Sequence, residues 1–372
     1  MLCVLFCVAY TNNAHGQNND QPPLNYIYKP GDNNYACFRI PALINTAKNN
    51  LLAFAEARKN GCGDSGDIDL VLKRSEDGGK TWSNMQVVWN DSTNTCGNPV
   101  PIQDIATGKI WLVCSWNSGI EHEKKIRDKT SKYGRRVFTL SSDDEGKTWS
   151  APKEITQQVK MPDWTWYATG PCHGVQISKG KYKNRLVVPI NHIEAGSGKN
   201  FAHIIYSDDH GDTWKLGNNT PLDMANETTV AEIGKGQLIL NSRSSDRKTK
   251  YRQVTTSADG GQTWTGMHID STLIEPICQG SLLNYKLSPK KSILLFCNPA
   301  NQAARANLTV RISLNDGKTW STGQVIFPGP SAYSDIAVNK DKQVVCLYEG
   351  GLTKPYEGIA VKAIDLNQLL KP

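Results

Sequence analysis

Apolar residues in this 372-residue chain come in short runs and not in helical periods. Lys109–Trp116 (KIWLVCSW), Arg185–Ile190 (RLVVPI), Gln237–Leu240 (QLIL), Ser292–Phe296 (SILLF) and Gln343–Tyr348 (QVVCLY) are rich in β-branched, aliphatic and aromatic residues. Turn-forming residues bound each run. Runs of about four to eight apolar residues between turn signals read as strands. No stretch of comparable length sustains a capped helical period. The pattern predicts an all-β protein.

Between the runs one motif recurs five times: SEDGGKTW at 75–82, SDDEGKTW at 142–149, SDDHGDTW at 207–214, SADGGQTW at 257–264 and SLNDGKTW at 313–320. Its general form is S-x-D-x-G-x-T-W, with Asn315 in place of Asp in the last copy. The Trp residues are 67, 65, 50 and 56 positions apart. Ser and Asp side chains bond neighbouring backbone groups in a tight turn, and Gly takes a conformation closed to other residues. Each copy is expected to close a hairpin, with its Trp packed back onto the sheet as an apolar anchor. A period of this size in a chain of short strands indicates a propeller or solenoid. Roughly 350 residues at about 60 per repeat predict a six-bladed β-propeller of four-stranded antiparallel sheets. The blade without a motif would be closed by the two chain ends, with Tyr356–Ile364 pairing near the N-terminus.

Composition adds limits. A hydrophobic fraction of 38% with 31 Gly fits a folded core. The net charge of +7 is spread along the chain, so no basic arm for nucleic acid is present. It suits solubility and a weak attraction for anionic substrates. The first 17 residues, MLCVLFCVAYTNNAHGQ, resemble a secretory apolar segment with a small-residue cleavage site, although the basic start is missing. The remainder, 18–372, reads as one domain, in a secreted, periplasmic or lumenal setting. No later segment has the roughly 18 apolar residues a membrane span needs. Ten Cys fall to eight without Cys3 and Cys7; the even count suits an oxidising compartment, and a Cys62–Cys96 bridge is expected. No Cys/His spacing fits a metal site, so neither metal nor cofactor is expected.

The five repeats, together with Phe38-Arg39-Ile40-Pro41, resemble the sialidase (neuraminidase) family from about Tyr26 to Ile364. The resemblance implies removal of terminal sialic acid from glycoproteins, glycolipids or oligosaccharides by a monomer. Sialidases are an exception among retaining glycosidases in using a Tyr nucleophile. Sialic acid carries a carboxylate on its anomeric carbon, which repels an anionic nucleophile and calls for Arg.

Residue by residue, the resemblance gives Arg39 as the first carboxylate-binding Arg. Arg243, in Leu240-Asn241-Ser242-Arg243, is the second, and Arg305 is preferred to Arg311 as the third. Asp64, six residues after Arg58, is the expected acid/base, with Asp67 and Asp69 as competitors. Arg58 is an additional substrate contact. Tyr333, in Ser331-Ala332-Tyr333-Ser334-Asp335, matches the nucleophile, and Glu227 is preferred to Glu232 as its base. Asp104, Trp116 and the segment Trp164–Pro171 are candidates for the walls around the glycerol and N-acetyl arms. Cys172 stands where the family more often has Gly, which leaves the part played by His173 open.

Sequons occur at Asn90, Asn218, Asn226 and Asn307. The last two abut Glu227 and Arg305, where a glycan would crowd the site. The three arginines alone would suit a binding propeller that does not cleave; Tyr333, Glu227 and Asp64 together are needed only by an enzyme. Hydrolysis and transfer to another sugar stay open.

Overall fold

The computed structural model describes residues 23–371. The segment expected to be a secretory leader, 1–17, lies outside them. Strand is the dominant element. After β1 (Tyr26–Tyr28), the strands β2 (Cys37–Asn45), β3 (Leu51–Arg58), β4 (Ile68–Ser75) and β5 (Gln86–Trp89) form an antiparallel meander. A second follows in β6 (Thr95–Gln103), β7 (Ile110–Asn117), β8 (Arg136–Ser142) and β9 (Lys153–Glu154). A single parallel pair, Ile68 with Thr95, joins the two.

Next come β10 (Trp164–Thr169), β11 (Val175–Gln176), β12 (Leu186–Glu194), β13 (Asn200–Ser207) and β14 (Lys215–Leu216), with β10 and β11 both paired to β12. The next sheet is β15 (Ala225–Ile233), β16 (Gln237–Ser244), β17 (Tyr251–Ser257) and β18 (His268–Ile274). Then β19 (Ser281–Ser288), β20 (Lys291–Pro299) and β21 (Ala306–Ser313) pair with the first half of the 15-residue β22 (Gln324–Val338). The second half of β22 pairs with β23 (Gln343–Gly350) and, through it, β24 (Ile359–Asp365). The outer neighbour of β24 is β1, with Tyr26 opposite Ala360. The N-terminal strand thus closes the sheet built by the C-terminus, as expected for the unit without a repeat. Among the described residues no helix is long and apolar enough to cross a membrane.

Apolar clusters lie between neighbouring sheets, and this explains why the strands read as unbroken apolar runs. One cluster joins Phe54 and Leu72 to Leu112 and Leu140; another joins Leu51 and Ala55 to Val345 and Val361. Strand β3 is buried along its whole length. The first strands of successive sheets also touch in a cycle: β2 meets β6, β6 meets β10 and β11, β11 and β12 meet β15, β15 meets β19, and β19 and β2 meet β22.

The repeated turns share one bonding scheme. In the first, Ser75 Oγ donates to Asp77 at 2.8 Å and accepts from Gly79 N at 2.8 Å. Asp77 also accepts from Thr81 N at 2.9 Å. The scheme recurs at Asp144, Asp209, Asp259 and Asn315. Several of the Trp residues pack on the adjoining sheet and not on their own: Trp149 meets Phe54 edge-on at 5.7 Å, and Trp214 meets Trp111 at 6.5 Å. Gly211, at φ 97°, lies so close to Trp111 that a Cβ would sit 2.2 Å from the indole. The turns therefore link sheets as well as closing hairpins. They lie at the Ser75 end of β4, whereas Arg58 lies beside its opposite end, Ile68.

The expected Cys62–Cys96 bridge is replaced by Cys37–Cys62, with 5.3 Å between Cα atoms. Cys37 lies opposite Arg58 on the paired strand, which brings it beside the loop that follows β3. Cys96 faces the inter-sheet core, fully buried, as a free thiol.

Candidate active site

At the strand ends away from the repeated turns lies a cavity of about 660 Å³. Regular antiparallel pairing is interrupted where the strands reach it. The β2–β3 register shifts between Arg39 and Ala42, with Ile40 at φ 57°. Similar shifts fall between Gly97 and Val100, between Ala225 and Thr228, and between Ser331 and Ser334. Bulges re-aim side chains, and these sit at Arg39, Asn98, Glu227 and Tyr333, all lining the cavity. A non-Gly residue at positive φ is a local strain that the surrounding structure must hold.

The distant motifs converge here. Tyr333, 6% exposed, donates its phenol proton to Glu227 Oε1 in a very short hydrogen bond. Arg243 Nη1 donates to Glu227 Oε2 at 2.5 Å and to the Tyr333 hydroxyl at 3.1 Å. The guanidinium carbons of Arg39 and Arg305 lie 5.1 and 5.5 Å from the centre of the Tyr333 ring. Burial and the charge of Glu227 push the phenol pKa up, and Arg243, Arg305 and Arg39 oppose that rise. The phenol therefore stays protonated at rest, with a carboxylate in place to take its proton.

Arg39 is fixed from behind by Glu349. Its Nε and Nη2 donate to the two Glu349 oxygens at 3.0 and 3.2 Å, and Glu349 also accepts from Ile40 N and Tyr333 N. Arg39 Nη1 reaches forward to Asp64 Oδ1 at 3.2 Å. Arg58 Nη1 donates to that same oxygen at 2.8 Å, while Glu56 holds the rest of the Arg58 guanidinium. Burial raises the Asp64 pKa, but Arg58 and Arg39 outweigh it and hold the carboxyl below the usual carboxylate range. Arg305 donates to the Tyr356 hydroxyl at 2.6 Å and to Ile277 O at 3.0 Å. The Tyr356 ring lies under Arg39 at 4.3 Å.

On the other side stand Asn98, Arg135 and Trp166, with the Arg135 guanidinium stacked on Trp166 at 3.9 Å and bonded to Asn98 Oδ1 at 2.5 Å. Seven arginines and four carboxylates line the cavity. This suits an anionic ligand.

Arg39, Arg58, Asp64, Glu227, Arg243, Arg305 and Tyr333 thus share one cavity. Their competitors do not line it. Arg311 reaches Asn298, Asp69 accepts from Tyr35 at 2.5 Å, Asp67 lies outside, and Glu232 accepts from Ser178 N at 2.9 Å elsewhere. Two expected wall residues also lie outside. Asp104 is buried at the far end of β6, bonded to Thr107, Gln176 and His210. Trp116 faces the inter-sheet core and donates to Asp91 at 2.7 Å. Of the Trp164–Pro171 segment only Trp166 reaches the cavity. His173 bonds Asp335 at 2.8 Å away from it. Asn226 lines the cavity and accepts from Glu227 N, and Asn307 donates to Ala300 O.

No motif in the sequence marks Glu349, Tyr356, Glu56 or Arg135. Glu349 ends an apolar strand run, and a carboxylate in that place signals a buried cationic partner.

Known proteins resemble this chain in sequence and in fold. The model of a BNR repeat-like domain matches residues 49–346. A sialidase of Bacteroides fragilis is 33% identical over 362 residues, covering 92% of this chain and 64% of the bacterial protein. The chain therefore spans just under two thirds of that relative's length. An exo-alpha-sialidase of Aspergillus fumigatus is 31% identical over 307 residues, covering 77% of this chain and 70% of the fungal protein. Among solved structures, the Hadza microbial sialidase Hz136 superposes with a TM-score of 0.83 at 31% identity, covering 92% of this chain and 68% of that one. Likeness over so much of the chain, in sequence and in fold, places it in the sialidase family.

Proposed function

We propose that this chain is an exo-sialidase that hydrolyses terminal sialic acid from glycoproteins, glycolipids or oligosaccharides with retention of configuration. In this reading residues 18–372 form one catalytic domain, a six-bladed β-propeller, acting outside the cytoplasm as a monomer. One observation carries the chemistry: the Tyr333 phenol lies between the Glu227 carboxylate and the arginines Arg243, Arg39 and Arg305.

The sialic acid carboxylate takes the forward faces of Arg39, Arg243 and Arg305, whose planar guanidiniums suit two-point recognition. That places the anomeric carbon beside Tyr333. A neutral phenol approaches it without the repulsion a carboxylate nucleophile would meet. As the Tyr333 oxygen bonds to the anomeric carbon, its proton passes to Glu227. The glycosidic bond breaks, and the leaving oxygen takes a proton from Asp64. In the second half, water attacks the anomeric carbon and gives a proton to Asp64 while Tyr333 departs and regains its own from Glu227. Trp166, Asn98 and Arg135 supply the mixed aromatic and polar wall for the sugar's arms.

The test is product analysis by NMR with sialyl-lactose. Free sialic acid that first appears in the α form supports the reading. No release, or first appearance of the β form, contradicts it. A sialylated acceptor sugar or an anhydro sugar as the main product would replace hydrolysis by transfer.

A further inference from the structure

We infer that the Cys37–Cys62 disulfide is a positioning device, which ties the loop carrying Asp64 to the strand carrying Arg39 and so keeps the Asp64 carboxyl within reach of the departing glycan oxygen. The inference rests on the reading of Asp64 as the proton donor.

Among the described residues the Asp64 carboxylate is bonded only by the Arg58 and Arg39 guanidiniums. Its loop, 59–67, contains Gly61, Gly63 and Gly66, and neither Gly61 nor Gly66 has a neighbour within 4 Å of where a Cβ would stand. Glycine leaves the backbone permissive. The Asp64 side chain is 76% exposed. On the Cys62 side of Asp64, Arg58 donates to Cys62 O at 2.6 Å, Gly63 O at 2.9 Å and Asp64 Oδ1 at 2.8 Å. On the far side Ser65 Oγ bonds His122 Nδ1 at 2.6 Å and Gly66 N donates to Thr95 Oγ1 at 3.1 Å. The second cation on Asp64 is Arg39, at 3.2 Å. In the proposed reaction that guanidinium turns to the substrate carboxylate, so this contact weakens when the acid is needed.

The covalent tether does not weaken. Cys37 is fully buried in β2, two residues before Arg39 and opposite Arg58 in the β2–β3 register. Cys62 is exposed, lines the cavity and stands two residues before Asp64. A buried strand is thus bonded to a glycine-rich surface loop beside its functional residue. Among the described cysteines this pair alone is joined, and the other six are buried free thiols. An ångström of misplacement can cost about a hundredfold in rate, so a tether here acts on catalysis as well as on folding.

The experiment compares kcat/KM on two sialosides, one with an aryl leaving group such as nitrophenolate, the other sialyl-lactose. A nitrophenolate departs without a proton; a sugar alkoxide does not. Two variants are used, Cys37→Ala/Cys62→Ala and the milder Cys62→Ser, each also placed in an Asp64→Ala background, with thermal melting to verify folding. The expected result is a loss of about ten- to a hundredfold on sialyl-lactose, and about threefold or less on the aryl sialoside. In the Asp64→Ala background, removing the disulfide should cost nothing further on sialyl-lactose. Equal losses on both substrates, or the same loss with and without Asp64, would show a general effect on the fold or on Arg39 and overturn the tether. Absence of turnover of both substrates by the wild-type chain would overturn the proposed function, and this inference with it.

Discussion

Arg39 and Glu349 form a buried two-point ion pair, Nε to Oε1 at 3.0 Å and Nη2 to Oε2 at 3.2 Å, between residues 310 positions apart. Glu349 is fully buried and bonds the backbone of Ile40 and Tyr333 as well. One carboxylate therefore fixes an anion-binding arginine, the bulge that carries it, and the backbone of the proposed nucleophile. It leaves the Arg39 Nη1 edge facing the cavity.

Removing that carboxylate leaves a buried guanidinium without its partner. Breaking such a pair costs about 3–5 kcal/mol. Glu349→Gln is expected to lose about 3 kcal/mol in urea unfolding and to weaken a dehydrated sialic-acid analogue at least about tenfold. Unchanged inhibitor affinity would mean that Arg39 is held by other contacts.

The pairing of Asp64 with Arg58 and Arg39 makes a prediction about pH. An acid must carry its proton, and these cations favour the ionised form in the free protein. A bound carboxylate that draws Arg39 away removes part of that bias and adds a negative charge nearby, so the Asp64 pKa rises. The pH profile of kcat/KM reports the free enzyme and that of kcat the complex. If glycosidic cleavage limits turnover of sialyl-lactose, kcat is expected to fall at higher pH than kcat/KM. Coincident or reversed limbs would contradict the exchange of partners.

The repeated turns should set the acid stability. Hydrogen bonds from Thr148, through its hydroxyl and then its backbone N–H, hold Asp144 down to about 2. A carboxyl with a depressed folded pKa stabilises the fold above its unfolded value of about 3.9 and loses that contribution as pH falls through the folded one. Asn315 already occupies the same turn without a charge, accepting from Thr319 N at 3.0 Å. Asp144→Asn should therefore keep the turn but lessen the drop in melting temperature between about pH 4 and 2. An unaltered drop would place acid sensitivity elsewhere.

The strands and repeated turns were legible because their causes are local: apolar runs between turn formers, and Ser, Asp and Gly at fixed offsets. Arg39, Arg243, Arg305, Tyr333, Glu227 and Asp64 were legible through motif context, and the fold brings them to one cavity. Asp104 misled because nearness along a strand does not say which end faces the site. It lies six residues beyond Asn98, about 20 Å along an extended strand, at the opposite end. Trp116 sits at the correct end but points between sheets, a choice of face that its fully buried strand does not reveal. Glu349 and Tyr356 act through partners more than fifty residues or more than three hundred residues distant, which no local pattern encodes. The disulfide is hidden from local sequence for the same reason: strand register brings Cys37 to Cys62.

The central claim is that Tyr333 bonds to the anomeric carbon. The most direct measurement is peptide mass spectrometry after incubation with 2,3-difluorosialic acid, a reagent whose glycosyl adduct breaks down slowly. The expected result is one sialyl adduct on the peptide containing Tyr333, absent from Tyr333→Phe. An adduct on another residue, or an equal adduct in Tyr333→Phe, would contradict the account.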